Sequence, residues 1–288
     1  MPQATPIVPR PPAPQRRPNL TILVVPCLFV IVTFLFWYQT WFGRQLSSQE
    51  MQQYLTDTSV PHKTQHALSQ MADRMSRGDA EVRRWYPQVL TLARSQEPIF
   101  RLTAAWVMGQ DNSSEEFHRA LARLLQDADA RVRWNAALAL VRFGDASGEP
   151  QLRLMLGSST VAAPQSGVVQ LNLKSGDAFR AGTVVAHIRT GAGLSREVRS
   201  PVDGELQAWD VHDGASVSAG QPLARVSPSD DQVWEALRAL YLVGGEQDLE
   251  AVEAYAQGGP NISPRVKHQA EITAQAIHNR MISKQTPS

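Results

Sequence analysis

Hydrophobic residues are spaced in three different ways along the chain, and each spacing predicts a different kind of element. A continuous apolar run occupies 20–42. In 44–157, and again in 229–288, apolar residues recur every three or four positions, as on the buried face of a helix. The stretch 160–228 alternates apolar and polar residues in short runs separated by glycine, as β-strands do. The pattern therefore predicts a multidomain α + β chain with one transmembrane helix, a helical region, an inserted all-β domain and further helices.

The apolar run has the length of a membrane anchor. Roughly 20 apolar residues in a helix cross a hydrocarbon core of ~30 Å, and no charged residue lies between Arg17 and Arg44. Trp37, Tyr38 and Trp41 stand near its end, where aromatic rings favour the headgroup region. A cleaved signal peptide is the alternative, but these bulky residues occupy the place expected for a small-x-small cleavage site.

The residues on either side of the run predict its orientation. Residues 1–19 are rich in proline and are expected to form a disordered tail. This tail carries three arginines, whereas only Arg44 follows the run closely. The positive-inside tendency places the tail in the cytoplasm. The rest of the chain is then expected outside the cytoplasmic membrane, in the periplasm if the cell is a bacterium with two membranes.

Capping residues divide 44–157 into short helices. Ser47-x-x-Glu50 and Ser113-x-x-Glu116 have the form of capping boxes, and Pro61 suits a first helical position. Short helices with short joins are typical of stacked helical hairpins.

Two segments of this region share one pattern. R-L-T-A-A-W-V-M-G at 101–109 aligns with R-W-N-A-A-L-A-L-V at 133–141. The segment 127–144 resembles a HEAT-type repeat through its Asp-rich turn, its V-R pair, its paired alanines and its closing glycine. A generic helical bundle is the alternative.

Helical spacing resumes at 229. Ser229-x-x-Gln232 again has the form of a capping box, and 236–244 repeats the alanines and glycine of 136–144. We infer one helical array that the β domain interrupts at a repeat boundary. Separate helical domains before and after the β domain are the alternative.

The stretch with strand spacing contains one glycine-punctuated pattern twice. A-P-x-x-G at 163–167 returns as S-P-x-x-G at 200–204, and G-D-x-x-x-x-G at 176–182 returns as G-x-x-V-x-x-G at 214–220. Two similar β-rich halves are therefore expected. Glycines predicted at turns are Gly167, Gly176, Gly182, Gly204, Gly214 and Gly220. Residues spaced for alternating burial are Val168, Leu171, Leu173, Phe179, Val184, Ala186 and Ile188.

This double motif resembles the biotinyl/lipoyl-domain family, which folds as a flattened β barrel-sandwich of two quasi-symmetric halves. In carrier members of the family, a lysine at the tip of the hairpin between the halves carries biotin or lipoate. Here the linking segment 189–199 contains no lysine, and the family's lysine position falls at about Gly193. Lys174 is the only lysine in 160–228 and belongs to a different turn. The resemblance therefore implies an unmodified domain without a cofactor.

Unmodified members of this family occur in the membrane-fusion adaptors of efflux pumps and type I secretion systems. This chain resembles those adaptors in its predicted anchor and in a lipoyl-like domain expected outside the cytoplasmic membrane. The adaptors place a long coiled-coil hairpin between the two halves, whereas only the short segment 189–199 stands there in this chain. An adaptor in transport or secretion is therefore the alternative function.

Charge and side-chain chemistry argue against several other functions. Three of the 28 basic residues lie in the tail, and the others nearly balance the 27 acidic residues, which gives little electrostatic attraction to nucleic acid. Cys27 is the only cysteine, so an intrachain disulfide and a cysteine metal cluster are excluded. His62 and His66 have a spacing that suits zinc, but no third ligand is evident and a solvated helix face is the simpler interpretation. We predict no metal site, no catalytic residues and no enzymatic activity.

Several arginines in the helical region form a possible basic stripe for an acidic partner. These residues are Arg83, Arg84, Arg131, Arg133 and Arg142. Ion pairs between repeats or a solvated helix face are the alternative for such residues. The sequence as a whole predicts a membrane-anchored scaffold that binds protein partners through its helical repeats and its β domain, with no prediction of partner identity or oligomeric state.

Overall fold

The computed structural model describes residues 27–34, 45–191, 193–259 and 261–285 of the 288-residue chain. The chain divides into two compact units, Met1–Ser47 and Ser48–Ser288. In the first unit, residues 27–34 are helical with exposed side chains. The rest of the predicted transmembrane helix 20–42, and the predicted tail 1–19, lie outside the described residues. None of the helices in the described ranges combines the length and apolarity needed to cross a membrane.

The second unit begins with seven helices among its described residues. They are α1 (Ser48–Thr56), α2 (Pro61–Ser76), α3 (Tyr86–Leu92), α4 (Pro98–Met108), α5 (Glu115–Leu124), α6 (Ala130–Arg142) and α7 (Glu149–Met155). Short 3-10 turns at Ala80–Trp85 and Ala146–Gly148 lead into α3 and α7. After the β domain come α8 (Asp230–Val243), a 3-10 turn at Glu246–Asp248, α9 (Leu249–Ala256) and α10 (Pro264–Gln285).

Local capping explains where these helices start. The Asp129 carboxylate accepts the Arg131 amide ahead of α6, and the Ser229 hydroxyl accepts the Gln232 amide ahead of α8. The predicted cap at Ser113 is wrong by one residue, because the Ser114 hydroxyl accepts an amide in the first turn of α5.

The helices form two layers. In one layer α2, α4, α6, α8 and α10 pack side by side in that order. Each remaining helix packs against one or two members of that layer, which gives the hairpin stacking of a helical repeat array. Large fully buried side chains of the array include Trp85, Phe100, Phe117, Leu121 and Leu140.

The β domain follows α7, and its described residues form eight strands. They are β1 (Ser159–Ala162), β2 (Gly167–Leu171), β3 (Ala178–Phe179), β4 (Val184–Arg189), β5 (Ser195–Arg199), β6 (Gly204–Trp209), β7 (Ser216–Val217) and β8 (Pro222–Pro228). They pair antiparallel in two sheets of order β1-β8-β6-β3 and β5-β4-β2-β7. A sandwich-like arrangement with open edges results, and the described strands do not close into the predicted barrel, because β1, β3, β5 and β7 each pair on one side only.

Burial within the strands corrects part of the predicted alternation. Of the predicted core positions, Ala186 and Ile188 are buried, Val168 is 39% exposed, and Leu171, Leu173, Phe179 and Val184 are partly exposed. Val169 is buried in place of Val168, since it lies directly opposite Ile188 and shares its face. A register shift between Val184 and Ala186 buries Val185 as well.

The helices before and after the β domain form one continuous array. The Gln232 side chain donates to the Met155 carbonyl at 2.8 Å. The Tyr255 hydroxyl donates to the Leu156 carbonyl at 2.7 Å. Because α6 also packs against α8, the β domain is inserted between two neighbouring hairpins of the array.

Candidate functional site

The hairpin between β4 and β5 is where a carrier domain would hold its modified lysine. In this chain the turn is closed by hydrogen bonds from the Gly193 amide to the Thr190 carbonyl and from the Thr190 amide to the Leu194 carbonyl, both 3.0 Å. Gly193 has φ +77°, a conformation that favours glycine. Lys174 lies in the loop between β2 and β3, where its amide donates to the Asp177 carboxylate. The hairpin therefore offers no lysine for attachment.

Four of the six predicted turn glycines hold the two halves of the β domain together by matched contacts. The Gly176 amide donates to the Leu206 carbonyl at 2.8 Å, and the Gly214 amide donates to the Val169 carbonyl at 2.9 Å. The amides of Gly182 and Gly220 repeat this exchange toward the carbonyls of Ser200 and Ala163, both at 2.8 Å. Each half therefore supplies acceptors to the turns of the other half.

Gly167 and Gly204, the other two predicted turn glycines, occupy equivalent positions in the two halves and lie in strands instead of turns. Each begins a central strand and passes close to the backbone of its neighbour. A Cβ on Gly167 would clash with the Arg189 carbonyl, and one on Gly204 would clash with the Ser227 carbonyl. Close strand contact explains these glycines better than a turn does.

The five arginines of the predicted stripe occupy different elements and contact groups of their own chain. Arg83 and Arg84 lie in the 3-10 turn before α3, and the other three lie on α6. Arg84 pairs with Glu81 at 3.3 Å, and Arg131 pairs with Asp129 at 2.7 Å. Arg83 contacts Tyr86, Arg133 donates to the Asp127 carbonyl, and Arg142 donates to the Gly109 carbonyl.

An arginine at one repeat position joins α4 to the turn before α6, and its equivalent in the following repeat joins α6 to α7. Arg101 donates to both carboxylate oxygens of Asp127 at 2.6 and 2.8 Å, and the two side chains are 14% and 7% exposed. The Arg101 guanidinium holds the pKa of Asp127 below its usual value. Arg133, at the equivalent position of the following repeat, instead donates to the Gln151 amide oxygen at 3.2 Å. The arginine at this repeat position therefore has a charged side-chain acceptor in one repeat and a neutral one in the next.

A buried acidic cluster joins α7 to the 3-10 turn before α9. Arg153 donates to Asp248 at 2.7 Å and to Glu149 at 3.0 Å, and Gln247 also donates to Glu149. Asp248 is fully buried and Glu149 is 9% exposed. Burial raises the pKa of Glu149, and the neighbouring Asp248 raises it further. The cluster bridges the parts of the array before and after the β domain.

A groove of about 410 Å³ crosses α4, α6 and α8 and is called the array groove below. Its lining residues are Trp106, Gly109, Gln110, Asn135, Leu138, Ala139, Val141, Arg142, Glu235, Arg238, Ala239 and Leu242. Its floor is made of small residues: a Cβ on Gly109 would approach the Ala139 Cβ to 2.8 Å. Trp106 and Leu242 are 45% and 61% exposed. The groove thus combines exposed apolar side chains with polar ones.

A smaller cavity of about 290 Å³ lies between the array and the β domain. Leu102 and Trp134 line it from the helices, and Val202 and Asp203 line it from the sandwich. The Trp134 indole N–H is buried and has no acceptor within the described part of the chain.

Sequence reasoning did not find the array groove. Trp106, Leu138 and Arg238 occupy equivalent positions in the aligned repeats. That alignment could have shown that these three positions lie on the same face of the layer formed by α4, α6 and α8. A sequence carries no exposure values, however, so Trp106 could not be told from a core residue.

No metal site is found either at the histidine pair or elsewhere in the described ranges. His62 and His66 lie on α2, and His66 is 3.0 Å from the Gln70 amide. The described residues contain no cluster of three or more His, Cys, Asp and Glu side chains placed to hold a metal ion.

Comparison with known families identifies both regions of the second unit. Residues 86–170 match the HEAT repeats family, and residues 155–226 match the biotin/lipoyl family described as "Biotin-requiring enzyme". The two matches overlap where α7 gives way to β1. The chain therefore contains HEAT-type repeats and a biotin/lipoyl-type domain, as the sequence predicted.

Comparison with individual proteins gives less. No curated protein matches the chain. Among solved structures, a single-chain, multi-domain long-chain acyl-CoA carboxylase is similar at 16% identity with a TM-score of 0.24. The alignment covers 44% of this chain and 15% of the carboxylase chain.

Proposed function

We propose that this chain is a non-catalytic, membrane-anchored scaffold that binds a protein partner through its helical repeats. The observation that supports this most is the array groove, which crosses three neighbouring helices of one layer and exposes Trp106 and Leu242. Exposed aromatic and aliphatic side chains beside charged ones are the usual anchors of protein recognition.

The arrangement of the array favours a preformed binding surface. The α6–α8 packing and the hydrogen bonds at Met155 and Leu156 hold the two parts of the array together across the inserted domain. A surface that is already ordered loses less conformational entropy when a partner binds. The β domain adds a second docking face, and the absence of lysine from its 189–199 segment favours docking over cofactor transfer.

A pair of leucines provides the test. Leu242 lies in the array groove and is 61% exposed, whereas Leu154 lies on α7 outside the groove and is 58% exposed. We expect Leu242→Arg to abolish the crosslinking of partners recovered with the full chain from membranes, and Leu154→Arg to leave it intact. Equal recovery with both variants would remove the groove from the proposal.

The anchor and the unmodified state are tested separately. Protease treatment of spheroplasts is expected to digest residues after the apolar run 20–42, and a protected body would contradict the proposed orientation. Intact mass and a biotin or lipoate blot are expected to show an unmodified chain. A mass increase on Lys174 would instead indicate a carrier.

A further inference from the structure

We propose that the array groove binds an extended, acidic segment of the partner protein, with an apolar side chain of that segment packed against Trp106 and Leu242. This inference rests on the proposed function and specifies the chemistry of its ligand. The inference rests on three features of the groove lining: two arginines with guanidinium nitrogens that have no acceptor among the described residues, two exposed apolar side chains and the side-chain amide of Asn135.

The groove contains arginines that the fold leaves available. Arg238 stacks on the Trp234 ring at 4.6 Å, and no ion pair holds it in the described part of the chain. Arg142 uses its Nη1 to bond the Gly109 carbonyl at 3.0 Å and the Gln110 amide oxygen at 2.7 Å. Neither its Nε nor its Nη2 has an acceptor among the described residues. Both guanidinium groups can therefore donate to a ligand carboxylate.

Several other arginines of the same array are not available in this way. Arg101, Arg131 and Arg153 each pair with an aspartate, at 2.6, 2.7 and 2.7 Å. Pairing of that kind leaves little charge for a ligand. Arg142 and Arg238 have no such partner among the described residues and line the groove instead.

One opposing charge lines the groove. Glu235 belongs to the lining, and no hydrogen bond or ion pair holds its carboxylate within the described residues. Desolvation and the nearby charge of Asp231 raise the pKa of Glu235, and the charges of Arg238 and Arg265 partly oppose that shift. Two guanidinium groups against one carboxylate leave the groove with an excess of positive charge, which selects for acidic ligands.

The remaining lining favours a polypeptide over a small anion. Trp106 and Leu242 present apolar surface that an inorganic anion would leave unused, and Gly109 and Ala139 keep the floor low enough for a side chain to enter. The Asn135 amide donates to the Leu102 carbonyl at 3.3 Å, and its oxygen accepts nothing from the described chain. That oxygen is available for a main-chain N–H of an extended peptide.

The balance of charge outside the groove favours a peptide over nucleic acid. The 28 basic and 27 acidic residues of the chain nearly cancel. Nucleic-acid binding depends on many contacts between basic residues and phosphates. The groove would supply a few such contacts, and the nearly neutral remainder of the chain would add little electrostatic attraction. An acidic peptide needs only a local excess of positive charge.

A selection with random peptides tests the ligand chemistry directly. The peptides are displayed on phage, selected on the full chain and counter-selected on a Leu242→Asp variant, which removes the apolar contact without adding positive charge. We expect enrichment of sequences that combine Asp or Glu with a large apolar residue. Enrichment of basic or uncharged sequences that still depend on Leu242 would overturn the acidic ligand and leave the proposed scaffold function standing.

Single-residue variants then assign the charges, with one labelled synthetic peptide from the selection measured by fluorescence anisotropy. Arg238→Ala and Arg142→Ala are each expected to weaken binding about tenfold. Glu235→Gln is expected to tighten binding several-fold, because it removes the opposing charge.

The control for these variants is Arg119→Ala, since Arg119 is an exposed arginine on α5 outside the groove. Equal loss in Arg119→Ala and Arg238→Ala would refute the assignment of the charges. Failure of every peptide to depend on the groove, together with unchanged partner crosslinking in Leu242→Arg, would refute this inference and remove the groove from the proposed function as well.

Discussion

The contact between Arg101 and Asp127 gives the sharpest prediction about what holds the array together. Both side chains are nearly buried, and two hydrogen bonds of 2.6 and 2.8 Å join them. Removing one partner of such a pair leaves an uncompensated charge inside the protein, which typically costs about 3–5 kcal/mol. Arg101 keeps its bonds to the Ser95 and Gln96 carbonyls at 2.8 and 3.0 Å. We therefore expect Asp127→Ala to lower the free energy of unfolding by about 3 kcal/mol, the lower end of that range.

The chain supplies its own matched control at the next repeat. Arg133 occupies the position equivalent to Arg101, but its side-chain acceptor is the neutral Gln151 at 3.2 Å. A hydrogen bond with one charged partner contributes about 1.5 kcal/mol at the lower end of its range, so Gln151→Ala is expected to be the milder change. Urea denaturation followed by far-ultraviolet circular dichroism measures both variants against the wild type. If Gln151→Ala costs as much as Asp127→Ala, the charge of Asp127 contributes nothing particular and the reasoning fails.

Acidification provides a second check on the same residue. Hydrogen bonding to Arg101 is the main reason why the pKa of Asp127 lies below its ordinary value of 3.8. A lowered pKa in the folded state means that the stabilisation is fully present above the ordinary pKa and is lost as the pH falls through the folded-state pKa. The stability difference between wild type and Asp127→Ala is therefore expected to shrink in that acidic window. A difference that stays constant there would contradict the ionic origin of the effect.

Three further predictions concern the rest of the structure. Gly204→Ala is expected to lower the melting temperature of the β domain strongly, because its Cβ would clash with the Ser227 carbonyl, whereas Gly191→Ala, which has open space around it, is expected to change little by calorimetry. The pKa of Glu149 is raised above its usual 4.5, so its contribution to folding stability is present below that pH and is lost as the pH rises through the folded-state pKa. In urea titrations across that window, Glu149→Gln is expected to remove this loss of stability. An unchanged dependence of the unfolding free energy on pH would contradict the prediction. Gly193→Ala is expected to cost about 1 kcal/mol because of its positive φ, measured by thermal unfolding, and a stabilised variant would count against the turn described.

The helical caps and the doubled β motif were predictable because they depend on local chemistry. The side chains of Asp129 and Ser229 cap their helices whatever lies elsewhere in the chain. The cap was assigned to the wrong residue where two serines are adjacent. Either serine could cap α5 by sequence, and the backbone conformation places the hydroxyl of Ser114, not that of Ser113, at the first turn of the helix. The paired glycines of the β domain were visible as a spacing that occurs twice, but their actual acceptors in the opposite half were not.

Features that depend on packing between distant elements were not predictable. The strand pattern placed Val168 in the core, whereas pairing with β4 puts Val169 opposite Ile188 and buries it instead. The open edges that replace a closed barrel follow from strands that find one neighbour only. The array groove exists because α8, which follows the β domain, packs beside α6, which precedes it, and no local window of sequence contains both.

The way in which the β domain leaves and rejoins the array has a mechanical consequence. Its first and last strands are neighbours, with Ser159 opposite Val226, so a pull on the two ends of the domain would separate β1 from β8 one residue pair at a time. Tension applied to the ends of the second unit does not act first on the β1–β8 pairing. The Gln232–Met155 hydrogen bond and the α7–α8 packing connect the array directly, so they bear the tension before the β domain does. The array therefore carries the load and the sandwich is shielded from it until α7 and α8 part. Stretching this unit with optical tweezers is expected to release the helical array and the inserted domain in that order.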